Sequence, residues 1–142
     1  MQPRASSAFR ELCAAHGIAV THQRQVLYEV MQGMEGHPSP EEVYTRVKKK
    51  VPSISLATVY KNINLFVESG VFRKMSLHHG SVRVEMNVEA HHHLVCSQCK
   101  SISDIGEREL RLAPKRRRLL GGFLVERYAV DVIGVCSKCQ QA

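Results

Sequence analysis

Apolar residues recur at helical spacing through the first half of the chain and give way to short strand-like runs in the second. Residues 6–15 predict a helix ending before Gly17, and Thr21 can cap a second in which Val26, Leu27, Val30 and Met31 share one face before Gly33. Ser39-Pro40-Glu41-Glu42 reads as a capping box with proline in the first helical turn. That third helix carries Val43 and Val47, runs into Lys48-Lys49-Lys50 at the negative end of its dipole, and stops before Pro52. Ser55 opens a fourth, with Leu56, Val59, Ile63, Phe66 and Val67 as an apolar stripe, Thr58, Lys61, Asn62 and Glu68 on the other side, and Gly70 at the end. Val71 to Leu77 and Val82 to Val88 are strand-like, joined by His78-His79-Gly80-Ser81 as a hairpin tip.

Helices followed by a two-stranded ribbon describe a winged helix-turn-helix; a small helical domain with an incidental hairpin has the same pattern. Beyond it, residues 91–96 and 102–105 read as extended, 107–120 as helical despite Pro114, and Phe123 to Val135 as one or two strands. The expected fold class is therefore α+β, divided into residues 1–83 and a smaller α/β part, residues 84–142. The second part is too short to bury an ample core alone, so it needs a staple, a partner subunit, or both.

Charge sharpens the division. The 142 residues carry 20 Lys+Arg against 13 Asp+Glu, a formal net charge of +7. Residues 1–83 hold eleven of the cations and six of the acids, a net of +5, and the remainder nine and seven, a net of +2. The first part is thus the one expected to meet a polyanion such as nucleic acid. Lys115-Arg116-Arg117-Arg118 lies in the second part and is read as a solvated helix face. No apolar run is long enough for a membrane span, and no signal-peptide core follows Met1, so a soluble, cytoplasmic protein is expected.

Four of the five cysteines form two pairs, Cys96-x-x-Cys99 and Cys136-x-x-Cys139, with 36 residues between them. Two residues between thiolates let both sulfurs reach one ion, and two such knuckles complete a tetrahedral sulfur shell suited to Zn2+. A closed shell leaves no position for substrate, so the expected role is structural. A redox C-x-x-C pair or reduced core cysteines are the alternatives. A zinc deaminase is excluded by its missing H-x-E motif and by Val95 where proline would precede Cys96. Cys13 reads as a small core residue.

His91-His92-His93 leads into the first cysteine pair, and in an extended segment residues two apart point the same way. His91 and His93 can therefore share an ion that His92 cannot reach. Glu85, Asp104 and His37 are the candidates for further ligands.

Gly17-Ile18-Ala19-Val20-Thr21-His22-Gln23-Arg24, His37-Pro38-Ser39, Ser55-Leu56-Ala57-Thr58-Val59-Tyr60-Lys61-Asn62, His91-His92-His93-Leu94-Val95-Cys96-Ser97-Gln98-Cys99 and Cys136-Ser137-Lys138-Cys139 together resemble the ferric uptake regulator (Fur) superfamily. They span nearly the whole chain in family order. The resemblance implies a non-enzymatic, homodimeric bacterial repressor: a winged helix that binds double-stranded DNA at a near-palindromic operator, and a C-terminal dimerisation domain with structural Zn2+ on Cys96, Cys99, Cys136 and Cys139. It also implies a regulatory Fe2+ or Mn2+ at the domain hinge. His37, Glu85, His91, His93 and Asp104 match the regulatory site of the peroxide-responsive branch (PerR), where oxidation of a histidine ligand by peroxide is the sensing event.

Glu85 departs from that branch, which usually has Asp there, and resembles the iron-sensing branch; Asp104 matches the peroxide branch. Ala90, His92 and Tyr128 stand where many iron sensors carry ligands of a further site. The expected signal is peroxide, with an iron-responsive repressor as one alternative and a zinc-ribbon nucleic-acid-binding module as another of a different class. Expected at DNA are Thr58, Tyr60, Lys61 and Asn62 on the fourth helix, with Thr21, Gln23 and Arg24 at the start of the second. In this reading His37 belongs to the first part and the other four ligands to the second, so that one ion clamps the two together.

Overall fold

The computed structural model describes residues 6–76, 82–111, 119–125 and 128–141. They fall into two compact units, residues 1–88 and 89–142. The first contains α1 (Ser7–Ala15), α2 (His22–Gln32), α3 (Pro40–Lys50), α4 (Leu56–Glu68), β1 (Arg73–Ser76) and β2 (Val82–Glu85). Each helix starts where a short polar side chain can accept an amide hydrogen otherwise left without a partner. Ser6, Thr21, Ser39 and Ser55 accept from Phe9, Arg24, Glu42 and Thr58, and Glu42 answers Ser39 to complete the box. At the end of α4, Gly70 takes the left-handed φ of +79° that lets the chain turn into β1.

The apolar faces of these helices meet over Phe9, Leu27, Met31, Val43, Val47, Val59, Phe66 and Phe72, with Val84 of β2 sealing the layer. Cys13 is completely buried in α1, as expected of a core residue. Tyr28 stacks on Phe72 at 6.0 Å between ring centroids, and Phe66 meets Phe72 at 5.2 Å. Phe66→Ala is expected to cost about 3–5 kcal/mol of stability, read from urea unfolding.

Asn62 does not lie on the open side of α4. It is 6% exposed and accepts from Arg24 Nε at 3.1 Å. The buried stripe runs Val59, Asn62, Ile63, Phe66, and an amide takes one of its places because Arg24 satisfies it. Leu56, read as part of that stripe, is instead 37% exposed.

β1 and β2 form an antiparallel ribbon in which Arg73 faces Glu85 and Ser76 faces Val82; the hairpin tip lies outside the described residues. Because Glu85 is held in this ladder, it belongs to the first unit rather than the second. The candidate ligands therefore divide two and three between the units, not one and four.

The second unit holds β3 (His92–Cys96), β4 (Ile102–Ile105), β5 (Leu119–Leu120), β6 (Phe123–Leu124), β7 (Asp131–Gly134) and α5 (Ser137–Gln140). β3 is central, antiparallel to β4 and parallel to β7. The helix read over 107–120 is not formed in its described part: residues 107–111 are turns, ending at Arg111 with φ 53°, which an α-helix cannot continue. The cationic run 115–118 lies outside the described residues. Among the described residues, no helix is long and apolar enough to cross a membrane.

Candidate metal centres

The four thiols converge. Cys96 ends β3, Cys99 sits on the turn behind it, and Cys136 and Cys139 flank the first turn of α5. Their sulfurs all lie within 4.8 Å of one another, with Cys99 Sγ 3.8 Å from Cys136 Sγ. Backbone bonds set the knuckle: Cys96 N–H donates to Ser101 O, Lys100 N–H to Cys96 O and Ser97 N–H to Gly134 O. Cys136 N–H points at Cys96 Sγ from 3.4 Å, and this bond more than any other draws the Cys96 thiol down to about 6. Cys99 is also lowered, first by Ser101. Cys139 is pushed up to about 12, chiefly by the sulfurs of Cys136 and Cys99, since a second negative sulfur in the same space is opposed. A dication removes that opposition, and an all-sulfur shell suits Zn2+.

The imidazoles and carboxylates form a second set of clusters. In the first unit His37 Nε2 is 3.3 Å from Glu85 Oε1. The loop before α3 is laid along β2 to bring them together: Val84 N–H donates to Pro38 O at 2.9 Å. Arg83 Nη1 reaches Glu42 Oε2 at 3.0 Å, and the same carboxylate oxygen accepts from Ser39 N–H. The side chain that closes the capping box thus also ties the loop to the ribbon.

In the second unit His91 Nε2 and His93 Nε2 are 3.1 Å apart, and Asp104 Oδ1 lies 3.6 Å from the first and 3.9 Å from the second. Asp104 is there because it faces His93 across the β3–β4 ladder. Hydrogen bonding fixes the first ring's tautomer. His91 Nδ1 is 2.6 Å from Glu89 O, and a carbonyl can only accept, so Nδ1 carries the proton and Nε2 presents a lone pair. A lone pair directed at a second imidazole and a carboxylate has the chemistry of a cation site, and mixed N/O donors suit Fe2+ or Mn2+.

His92, between them, faces the other way, only 1% exposed. Its Nδ1 accepts from Val130 N–H and its Nε2 lies 3.7 Å from Glu107 Oε1. The alternation read from the sequence accounts for this separation of the three histidines.

Of the residues expected at DNA, Lys61 and Tyr60 are exposed and Thr58 and Gln23 half-buried, while Thr21 is exposed and caps α2. Arg24 is already engaged, with Nη1 donating to Ala19 O at 2.7 Å and Nε to Asn62. The Tyr60 hydroxyl donates to Glu41 Oε1, which holds the Glu41 carboxyl below and the Tyr60 phenol above their ordinary values. The sequence reading overlooked the ties of Glu41 to Tyr60 and of Glu42 to Arg83. Their only earlier sign was the capping box, whose carboxylates have a use beyond the helix start.

Four convergent thiols, and a pair of imidazoles with a carboxylate, in an α+β chain with a basic helical half are the donor sets of a metal-binding protein. The profile of the Ferric uptake regulator family matches residues 15–132, and the chain belongs to this family of metal-dependent transcription regulators. It is 30% identical over 124 residues to a peroxide-responsive repressor PerR of Staphylococcus aureus, covering 87% of this chain and 84% of that one. Among solved structures, a peroxide stress regulator of Campylobacter jejuni is 27% identical, with TM-score 0.62 and coverage of 93% and 96%. A Helicobacter pylori Fur described as having three functional metal-binding sites aligns with TM-score 0.73 over 99% of this chain and 98% of its own; at 19% identity it shows likeness of fold.

Proposed function

We propose that this chain is a homodimeric repressor that senses peroxide through Fe2+ bound by His37, Glu85, His91, His93 and Asp104. The observation that carries this reading is the fixed tautomer of His91, which aims an imidazole lone pair at His93 and Asp104. His37 and Glu85 are the matching imidazole and carboxylate on the other unit. An ion that takes ligands from both units adds free energy only to the arrangement in which both reach it, and populations shift by that difference in affinity. Cys96, Cys99, Cys136 and Cys139 hold structural Zn2+.

The first unit acts as a winged helix on double-stranded DNA with a near-palindromic operator. Thr21, Gln23, Thr58, Tyr60 and Lys61 contact the duplex; Arg24 and Asn62 brace α2 against α4 and position those residues. A second copy of the chain covers the apolar side chains that the second unit leaves in solvent, among them Leu94, Ile133 and Phe123, which are 38%, 55% and 74% exposed.

Fe2+ held by these residues would supply one-electron chemistry, giving up an electron to cleave peroxide and regaining it as the ring is oxidised, so that the imidazole is the net two-electron reductant and its C–H becomes C–OH. One peroxide oxygen is added to a ring carbon of His37 or His91 and the other leaves as water. The oxidised ring is a poorer donor, so the link between the units is weakened and the operator released. The longer Glu85 side chain favours a second reading, an iron-responsive repressor. Peroxide applied to the Fe2+ form should add 16 Da to the peptide containing His37 or His91 and abolish operator binding, with the Mn2+ form unchanged. An Fe2+ form that stays unmodified and on DNA leaves iron sensing as the function.

A further inference from the structure

We propose that Asp131 is a positioning residue for the regulatory ion: its carboxylate holds the proton on Nδ1 of His93 and so turns Nε2 toward His91 and Asp104. The inference rests on the regulatory-site reading above and concerns how that site is kept ready.

His93 is the ligand for which the chain must choose a tautomer. The Glu89 carbonyl makes the choice for His91. For His93 the group facing Nδ1 is Asp131 Oδ1, at 3.4 Å. An ionised carboxylate accepts and does not donate, so it favours the ring form with the proton on Nδ1 and the lone pair on Nε2. A carboxylate behind a metal-binding imidazole also raises the basicity of the ligating nitrogen and limits rotation of the ring.

The placement is built into the sheet. Asp131 is the direct partner of His93 in the parallel β3–β7 pairing, and His93 N–H donates to Val130 O at 3.1 Å, which locks the register. Two further residues carry β7 from its end at Gly134 to Cys136, so the sulfur cluster anchors the strand that presents Asp131. The Asp131 side chain is 39% exposed, and neither the sheet pairing nor burial of the chain requires an acid there. Its position opposite His93 does give it a use.

The test uses the full-length, zinc-loaded protein. Long-range 1H–15N spectra of the histidine rings, taken with a diamagnetic divalent ion in the regulatory site so that the His91–His93 Nε2 contact is no longer bridged by a proton, should find the His93 proton on Nδ1 and ligation through Nε2; ligation through Nδ1 overturns the proposal without any variant. Mn2+ titration should then show Asp131→Ala binding about 10–100-fold more weakly than the parent, with zinc content unchanged. Asp131→Asn, whose amide oxygen still accepts the Nδ1 proton, should fall between the two. Parent-like Mn2+ affinity in Asp131→Ala overturns the role. His91→Ala separates the two levels of the argument: if it too binds Mn2+ like the parent, the regulatory site itself is misassigned, whereas a loss there beside an unchanged Asp131→Ala removes only the positioning role.

Discussion

Stripping zinc from the full-length protein, or replacing Cys136 with serine, is expected to unfold residues 89–142 and to abolish operator binding with them. The reason is the poverty of that unit's interior. Among its described residues the buried apolar side chains are Val95 and Cys96, far short of what an independent domain of this size requires. Zinc binding at such sites is worth about 10–16 kcal/mol in small zinc-stabilised domains and acts there as folding energy. Near-UV circular dichroism and hydrogen exchange should show protection lost across β3, β4 and β7, while α1 to α4 keep their helical signal. Acid should act in the same direction. Protons compete with Zn2+ for the sulfurs, and because a bound dication keeps thiolates ionised below their metal-free values, zinc release should rise only at a pH below the value of about 6 that the Cys136 N–H sets for the metal-free Cys96 thiol. Retention of native exchange in a zinc-free Cys136→Ser protein would remove the structural role.

His37→Ala and His93→Ala should each eliminate the metal-induced gain in operator affinity while leaving zinc in place. Couplings of this kind typically lie in the range of about 5–150-fold, measurable by fluorescence anisotropy with and without Mn2+. The two variants should differ in ion affinity. His37→Ala leaves His91, His93 and Asp104 together on one unit and only the Glu85 carboxylate on the other, so Mn2+ still binds, more weakly, with too little hold on the first unit to favour the DNA-binding arrangement. His93→Ala breaks that cluster and should lose most of the binding. An ion that raised DNA affinity equally well in His37→Ala would contradict the clamp.

What the sequence made legible was local. Ser39 through Glu42 announced a helix start because capping is a matter of four neighbouring residues, and the cysteine spacings announced a metal because two knuckles need little beyond their own loops. His91 and His93 were separable from His92 by strand alternation alone. Pairings between distant segments were beyond its reach. Asp131 meets His93 through a parallel crossover of 38 residues, and no local pattern marks it. Asn62 was misplaced because polarity outweighed position: it occupies a core place on α4, and only its bond to Arg24, 38 residues away, makes burial tolerable. Glu85 was given to the wrong unit because a strand's allegiance is decided by its ladder, here with β1.

The triplet His91-His92-His93 would partly disguise a slip of β3 by one residue. After such a slip histidine would still stand at two of the three positions. The slip would, however, offer the ion one ring where two are needed and force two rings into a space shaped for one. An ion bound by His91 and His93 would discriminate between these pairings and favour the register that holds both rings on one side.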